Sequence, residues 1–186
     1  TYVGELGWEL HIPIAALGTV YDALMDADPQ LKPAGYRALE SLRLEKGYRA
    51  WSSDITPNDT PFEAGLDWAV KLKSGIPFLG RAALEALHGK PLSKHLVGFT
   101  ATTPDAVLVG RETILRDGAA VGYLTSGGYG YTVGKSIGYG YVRNETGVTE
   151  DWLNQGRYSL VIAGEETPAT LVLGSLFDPE GRKIRG

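Results

Sequence analysis

The feature that most constrains this chain is a change of texture near residue 93. Before it, apolar residues recur at helical spacing. After it, short apolar runs follow one another with glycines between them. In the first part, Leu17, Val20, Tyr21, Leu24 and Met25 repeat at three and four, which predicts an amphipathic helix over about 14–27. Tyr36, Leu39, Leu42 and Arg43 share one face of a second helix, about 34–46, closed by Gly47. Phe78 to Leu87 predicts a third helix, with Gly89 past its end. Tyr2-Val3 and Trp8–Ile12 read as two short strands around a Gly4–Gly7 turn, and Leu66–Leu72 has strand character. Residues 48–61 are irregular, with a strong turn signal at Pro57-Asn58-Asp59-Thr60-Pro61.

In the second part the strand-like runs are His95–Ala101, Glu112–Arg116, Ala119–Thr125, Lys135–Val142, Tyr158–Ala163 and Thr167–Leu173. Asp117-Gly118 and Ala163-Gly164-Glu165 sit where hairpin turns belong. A short helical turn near Val148–Leu153 is the one exception. The expected class is therefore α+β. Residues 1–92 form a mixed α/β unit, and residues 93–186 form a small antiparallel barrel of jelly-roll kind.

Composition narrows the chemistry. Of 186 residues, 43% are hydrophobic and 22% charged, which suits a folded globular chain. With no cysteine, disulfides, thiol nucleophiles and thiolate-held metals are excluded. His11, His88 and His95 lack metal-ligand spacing, so no metal site is expected. Net charge is −4, with no basic arm or stripe, which argues against a nucleic-acid partner. No apolar run approaches the roughly 18 residues of a membrane span. The chain opens on Thr1-Tyr2-Val3 without Met or an apolar leader, and is expected to be a fragment that begins inside a folded unit.

Three motifs invite a chemical reading. Val133-Gly134-Lys135-Ser136 resembles the end of a phosphate-binding loop, but Tyr129 stands where the first glycine is required and a strand follows rather than a helix. Glu9 sits between Trp8 and Leu10, with Tyr2 across the turn. As a solvated strand residue it needs no explanation. As a ligand group, its carboxylate accepts two parallel hydrogen bonds from a planar ring carrying adjacent N–H donors. Arg43, on the apolar side of its helix, is either half of a buried ion pair or an anion ligand.

Taken in order, several segments resemble one family. They are Tyr2-Val3-Gly4-Glu5-Leu6-Gly7-Trp8-Glu9-Leu10, Leu42-Arg43-Leu44-Glu45-Lys46-Gly47, Pro61-Phe62-Glu63-Ala64-Gly65-Leu66-Asp67-Trp68-Ala69-Val70-Lys71, Phe78-Leu79-Gly80-Arg81-Ala82-Ala83-Leu84, and Val121-Gly122-Tyr123-Leu124-Thr125-Ser126-Gly127. They are similar to the folate-binding aminomethyltransferases: the glycine-cleavage T-protein and the C-terminal regions of dimethylglycine and sarcosine dehydrogenases. Arg49-Ala50-Trp51 and the tyrosine-rich repeat after Ser126 resemble the dehydrogenase branch more.

The resemblance implies three subdomains around a folate channel, the last of them a jelly-roll-like barrel. It implies tetrahydrofolate as the cofactor, with FAD only in an upstream flavin domain. It also implies that the family's catalytic aspartate lies upstream, so no catalytic residue is assigned here. Folate contacts carry over to Tyr2, Glu9 and Trp51; the column of the family's arginine holds Leu39, so Arg37, Arg43 or neither stands in for it. The implied reaction moves a one-carbon unit from a methylated glycine, or glycine, to tetrahydrofolate. A fragment of this kind is expected to be inactive alone and to pair with its missing N-terminal domains or with a second copy. Its implied location is the cytoplasm, or the mitochondrial matrix in a eukaryote. The alternatives are a non-catalytic folate-binding protein of the same fold, or a structural barrel module.

Overall fold

The computed structural model describes every residue from Thr1 to Gly186. A 3-10 turn over Ile14–Ala16 leads into α1, Leu17–Ala27. Helix α2 spans Tyr36–Lys46 and ends at Gly47, whose φ of 71° is left-handed. Its amide returns to the Arg43 and Leu44 carbonyls, so the glycine stops the helix and satisfies its last turn. Irregular chain follows to α3, Arg81–Leu87. No helix is long and apolar enough to cross a membrane.

From Leu92 the chain is almost all strand. The six strands are β1 Leu92–Ala101, β2 Thr113–Arg116, β3 Ala119–Gly130, β4 Lys135–Val148, β5 Tyr158–Ile162 and β6 Glu165–Val172. They close in the order β1-β4-β3-β2-β5-β6, every pair antiparallel. One turn of helix, α4 at Glu150–Gln155, joins β4 to β5, with Thr149 capping it by accepting from the Trp152 amide at 3.1 Å. Inward-facing Val97, Phe99, Ile114, Leu124, Val142 and Leu160 fill the barrel. A smaller cluster of Leu44, Leu96, Ile137, Tyr139 and Tyr141 lies outside the barrel, where α2 packs against β3 and β4.

Three expectations need correction. Tyr2-Val3 and Trp8–Ile12 are turn and irregular chain, because no other strand of this chain lies beside them to pair with. Leu66–Leu72 contains a 3-10 turn at Asp67–Ala69 instead of a strand, for the same reason. The third helix begins at Arg81, not Phe78, because Gly80 at φ 86° turns the chain just before it. Residues 1–91 thus carry helix and loop, with a lone bridge between Trp51 and Ile55 as their only strand-type pairing. In the other direction, β3 and β4 run longer than the sequence suggests. Gly127, Gly128 and Gly130 continue the ladder opposite Gly138, Ile137 and Lys135.

Candidate functional site

The opening turn is clamped onto the end of α2. Gly4, at φ 77°, packs so closely on Lys46 that a Cβ would lie 2.7 Å from its Cγ. The Leu6 amide donates to the Lys183 carbonyl at 3.0 Å, tying the turn to the last helix, α5 (Arg182–Arg185). The Lys46 ammonium, nearly buried, bonds the Asp178 carboxylate at 2.9 Å and holds that C-terminal segment down. This clamp fixes Tyr2. Its ring stacks on Tyr48, with centroids 6.1 Å apart and planes 21° apart. Its hydroxyl donates to the Arg49 carbonyl at 3.2 Å. Burial pushes the Tyr2 hydroxyl above its ordinary pKa, and the nearby Arg43 guanidinium only partly offsets this.

Arg43 is buried and fully engaged. It donates to Glu40 Oε2 from Nε at 3.1 Å and from Nη2 at 2.9 Å. Nη1 reaches the Tyr48 carbonyl at 3.2 Å and Asp54 Oδ2 at 2.8 Å, and Nη2 reaches Ser126 Oγ at 3.0 Å. A guanidinium has five N–H donors, so none remains for a ligand. Burial would lower its pKa, but Asp54 and Glu40 outweigh that and raise it. Of the two readings the sequence left open, the structure shows the buried ion pair, with every Arg43 N–H donor engaged within the chain.

Asp54, at 1% exposure, is the residue sequence reasoning missed. Oδ2 also accepts the Ala50 amide at 2.9 Å, and Oδ1 accepts the Thr125 and Ser126 hydroxyls, each at 2.5 Å. One carboxylate therefore joins α2, the 50–55 turn and barrel strand β3. An aspartate in an irregular stretch looks like any solvated loop acid. The only sequence signal was Arg43 itself, whose place on an apolar face requires a partner.

The remaining residues stand outward. Glu9 is exposed and makes no hydrogen bond or ion pair within the chain, so both carboxylate oxygens are open to a donor. Trp51, 68% exposed, projects from the turn that Asp54 pins, where Ser52 adopts φ 70°. Arg37 is exposed on the first turn of α2 with no partner of either kind. The structure thus brings Tyr2 to the Arg43 cluster, while Glu9, Arg37 and Trp51 are held by no mutual bond. The chemistry of the free set suits a planar, donor-edged ring: an unpartnered carboxylate and exposed aromatic faces at Trp8 and Trp51.

Two family models match the chain in order. The one described as GCVT N-terminal domain covers residues 1–74, and the one described as Glycine cleavage T-protein C-terminal barrel domain covers residues 94–178. Human mitochondrial sarcosine dehydrogenase is 44% identical over 191 residues, which is all of this chain and 21% of that protein. The mouse mitochondrial pyruvate dehydrogenase phosphatase regulatory subunit is 37% identical over 199 residues, covering 98% of this chain and 23% of that protein. The crystal structure of glycine cleavage system aminomethyltransferase T from Bartonella henselae superposes with a TM-score of 0.81 at 30% identity. It covers 99% of this chain and 49% of that one. The chain therefore spans about a fifth of the curated relatives named and about half of the solved structure.

Proposed function

Because the chain belongs to the glycine cleavage T-protein family, by a GCVT domain match followed by a barrel-domain match, we propose that it is the folate-holding part of a tetrahydrofolate-dependent one-carbon transferase. The parent would be an aminomethyltransferase, or a sarcosine or dimethylglycine dehydrogenase. Unit boundaries at 1–92 and 93–186 suit this reading, since β1 begins at Leu92 and the barrel match at residue 94.

The observation that carries the reading is Glu9: a carboxylate with both oxygens free, inside the Tyr2–Leu10 motif, on a segment clamped by Lys46 and Lys183. Bound folate would supply the nitrogens that accept the one-carbon unit. Glu9 would hold the pterin edge, Tyr2 and Trp51 would wall its faces, and Arg37 would offer a free cation to its acidic tail. Asp54 and Tyr48 act behind them, fixing the turn that carries Trp51 and the ring that supports Tyr2. Their task is orientation, which removes much of the entropic barrier to a reaction between two bound partners. Proton transfer falls to residues outside this chain. FAD, where the parent is a dehydrogenase, would also bind outside it. For a eukaryotic source we propose the mitochondrial matrix, a reading supported by two relatives named as mitochondrial.

A second reading has its own support. One relative of nearly equal coverage is named as a regulatory subunit, so the fold also serves proteins not named as enzymes. Turnover separates the two. The full-length protein, given a methylated glycine and tetrahydrofolate, should form a one-carbon-loaded folate. Folate binding with no such product under the same conditions would favour the regulatory reading.

A further inference from the structure

A second polar site is lined by Arg49, whose carbonyl accepts from Tyr2, and not by Tyr2 itself. A cavity of about 340 Å³ opens between the 47–67 segment and barrel strands β1, β4 and β6. Arg49, Tyr139, His95, Asp67 and Ser175 supply its polar side chains. Its walls also include Gly47, Gly65, Gly98 and Gly174. Three of these glycines give room to the functional groups. A Cβ on Gly65 would stand 2.8 Å from Arg49 Nη2, one on Gly98 2.9 Å from the Tyr139 ring, and one on Gly47 3.0 Å from the Tyr139 hydroxyl.

Two groups in this wall lack the partner their chemistry calls for. Arg49 donates from Nε to the Ala64 carbonyl at 2.9 Å, from Nη1 to the Gly47 carbonyl at 2.5 Å and from Nη2 to the Gly65 carbonyl at 3.5 Å. Those bonds hold the guanidinium plane still. They leave two of its five N–H donors free, and no carboxylate lies within ion-pair distance. Arg43, six residues earlier, has two carboxylate partners by contrast. Without a counter-charge, burial lowers the Arg49 pKa. The second group is the Tyr139 hydroxyl, which is buried and has no hydrogen-bond partner. Both groups line the same cavity. Burial pushes the Tyr139 pKa up to about 12, and Arg49 is the charge that most offsets this. A fixed cation lacking an anion beside a buried hydroxyl lacking a partner is an uncompensated arrangement.

The geometry points to a carboxylate-binding site: Arg49 and Tyr139 take the carboxylate of a small monocarboxylic acid in this cavity. One oxygen would accept the free Arg49 N–H donors and the other the Tyr139 O–H, a charge-assisted pair. The volume is roughly that of ten water molecules at about 30 Å³ each, which suits a ligand of a few heavy atoms. Lys46, also in the wall, is committed to Asp178 and adds no free charge. Asp67 at the exposed rim repels a second carboxylate, so monoanions are preferred over dianions. This site does not depend on the folate reading, since Glu9 and Trp51 take no part in it.

The test is an acetate titration of the full 186-residue chain, followed by the amide NMR shifts of Gly47, Gly65, Gly98 and Gly174. Ionic strength is held with chloride. Saturable shifts at these glycines are expected with acetate, weaker ones with succinate, and none with neutral acetamide. Arg49→Gln should weaken acetate at least tenfold. Tyr139→Phe, which keeps the ring against Gly98 and so keeps the fold, should weaken it two- to tenfold. Glu9→Gln should leave the titration unchanged, which separates this site from the folate site. Equal shifts with chloride, or acetate affinity unaltered by Tyr139→Phe, would overturn the assignment.

Discussion

Arg43 and Asp54 form the most interdependent side-chain pair in the molecule. Both are buried, and between them they join α2, the 50–55 turn and β3. Removing one partner of a buried pair leaves the other charge without compensation, which costs about 3–5 kcal/mol. Asp54→Ala should therefore lose about that much in urea unfolding, and Asp54→Asn, which keeps acceptor capacity, less. A loss under 1 kcal/mol for Asp54→Ala would show that the pair is not the clamp described. Asp59 gives the acid response. Burial alone would raise its pKa, but bonds from Lys94 and from the Thr56 hydroxyl and amide outweigh that and lower it. A carboxyl whose pKa falls on folding stabilises the fold above its unfolded value, here near 3.8, and loses that contribution as pH drops through the lower folded value. Stability should decline as the pH falls below about 4, and Asp59→Asn should flatten that limb of a thermal-melt profile. Legibility at this scale was uneven. Arg43 announced that it needed a partner. Asp54 had no periodic or compositional mark, because its burial is created by chain that packs on it from residues 125 and 126.

Among the elements, the helices were readable from local period alone, and the barrel strands where short apolar runs are bounded by turns. Leu17–Ala27 and Tyr36–Lys46 follow their apolar spacing, and Gly47 stops the second as the sequence suggests. On β4 a tyrosine packs over a glycine of the neighbouring strand: the Tyr139 ring lies against Gly98 of β1. Tyr2-Val3, Trp8–Ile12 and Leu66–Leu72 failed because a strand is defined by its neighbour, and extended residue types without one make loop. Glycine in the barrel makes a sharp prediction. A Cβ on Gly122 would lie 1.8 Å from the Tyr141 carbonyl oxygen, a backbone atom in the β3–β4 ladder that cannot swing aside. Gly122→Ala should cost about 3 kcal/mol by overpacking. Gly75→Ala, with nothing within 4 Å, is the control and should change the melting temperature little. Equal effects of the two would refute the packing described for β3 and β4.

The whole molecule is unevenly finished. The barrel has a filled interior, but α1 buries no residue, and Trp8, Leu10, Ile14, Leu17, Tyr21 and Leu24 are all exposed. Several large apolar side chains left exposed along one stretch of chain suit an interface. An 11-residue helix without tertiary support is marginal in water. For the chain alone, sedimentation should show mass rising with concentration, and α1 amides should exchange quickly at low concentration. Leu17→Glu should suppress the association. A monodisperse monomer with α1 protected from exchange would contradict this. In a longer parent the same face would be covered by the remaining chain.

The central claim is that the free carboxylate of Glu9 anchors a folate pterin, and folate titration of the full-length protein with Glu9 or Glu9→Gln tests it most directly. The substitution keeps size and one acceptor while removing the charge. A hydrogen bond to a charged group contributes about 1.5–3 kcal/mol, so affinity should fall by about ten- to a hundredfold. Unchanged folate affinity would contradict the account and return Glu9 to the role of an ordinary solvated residue.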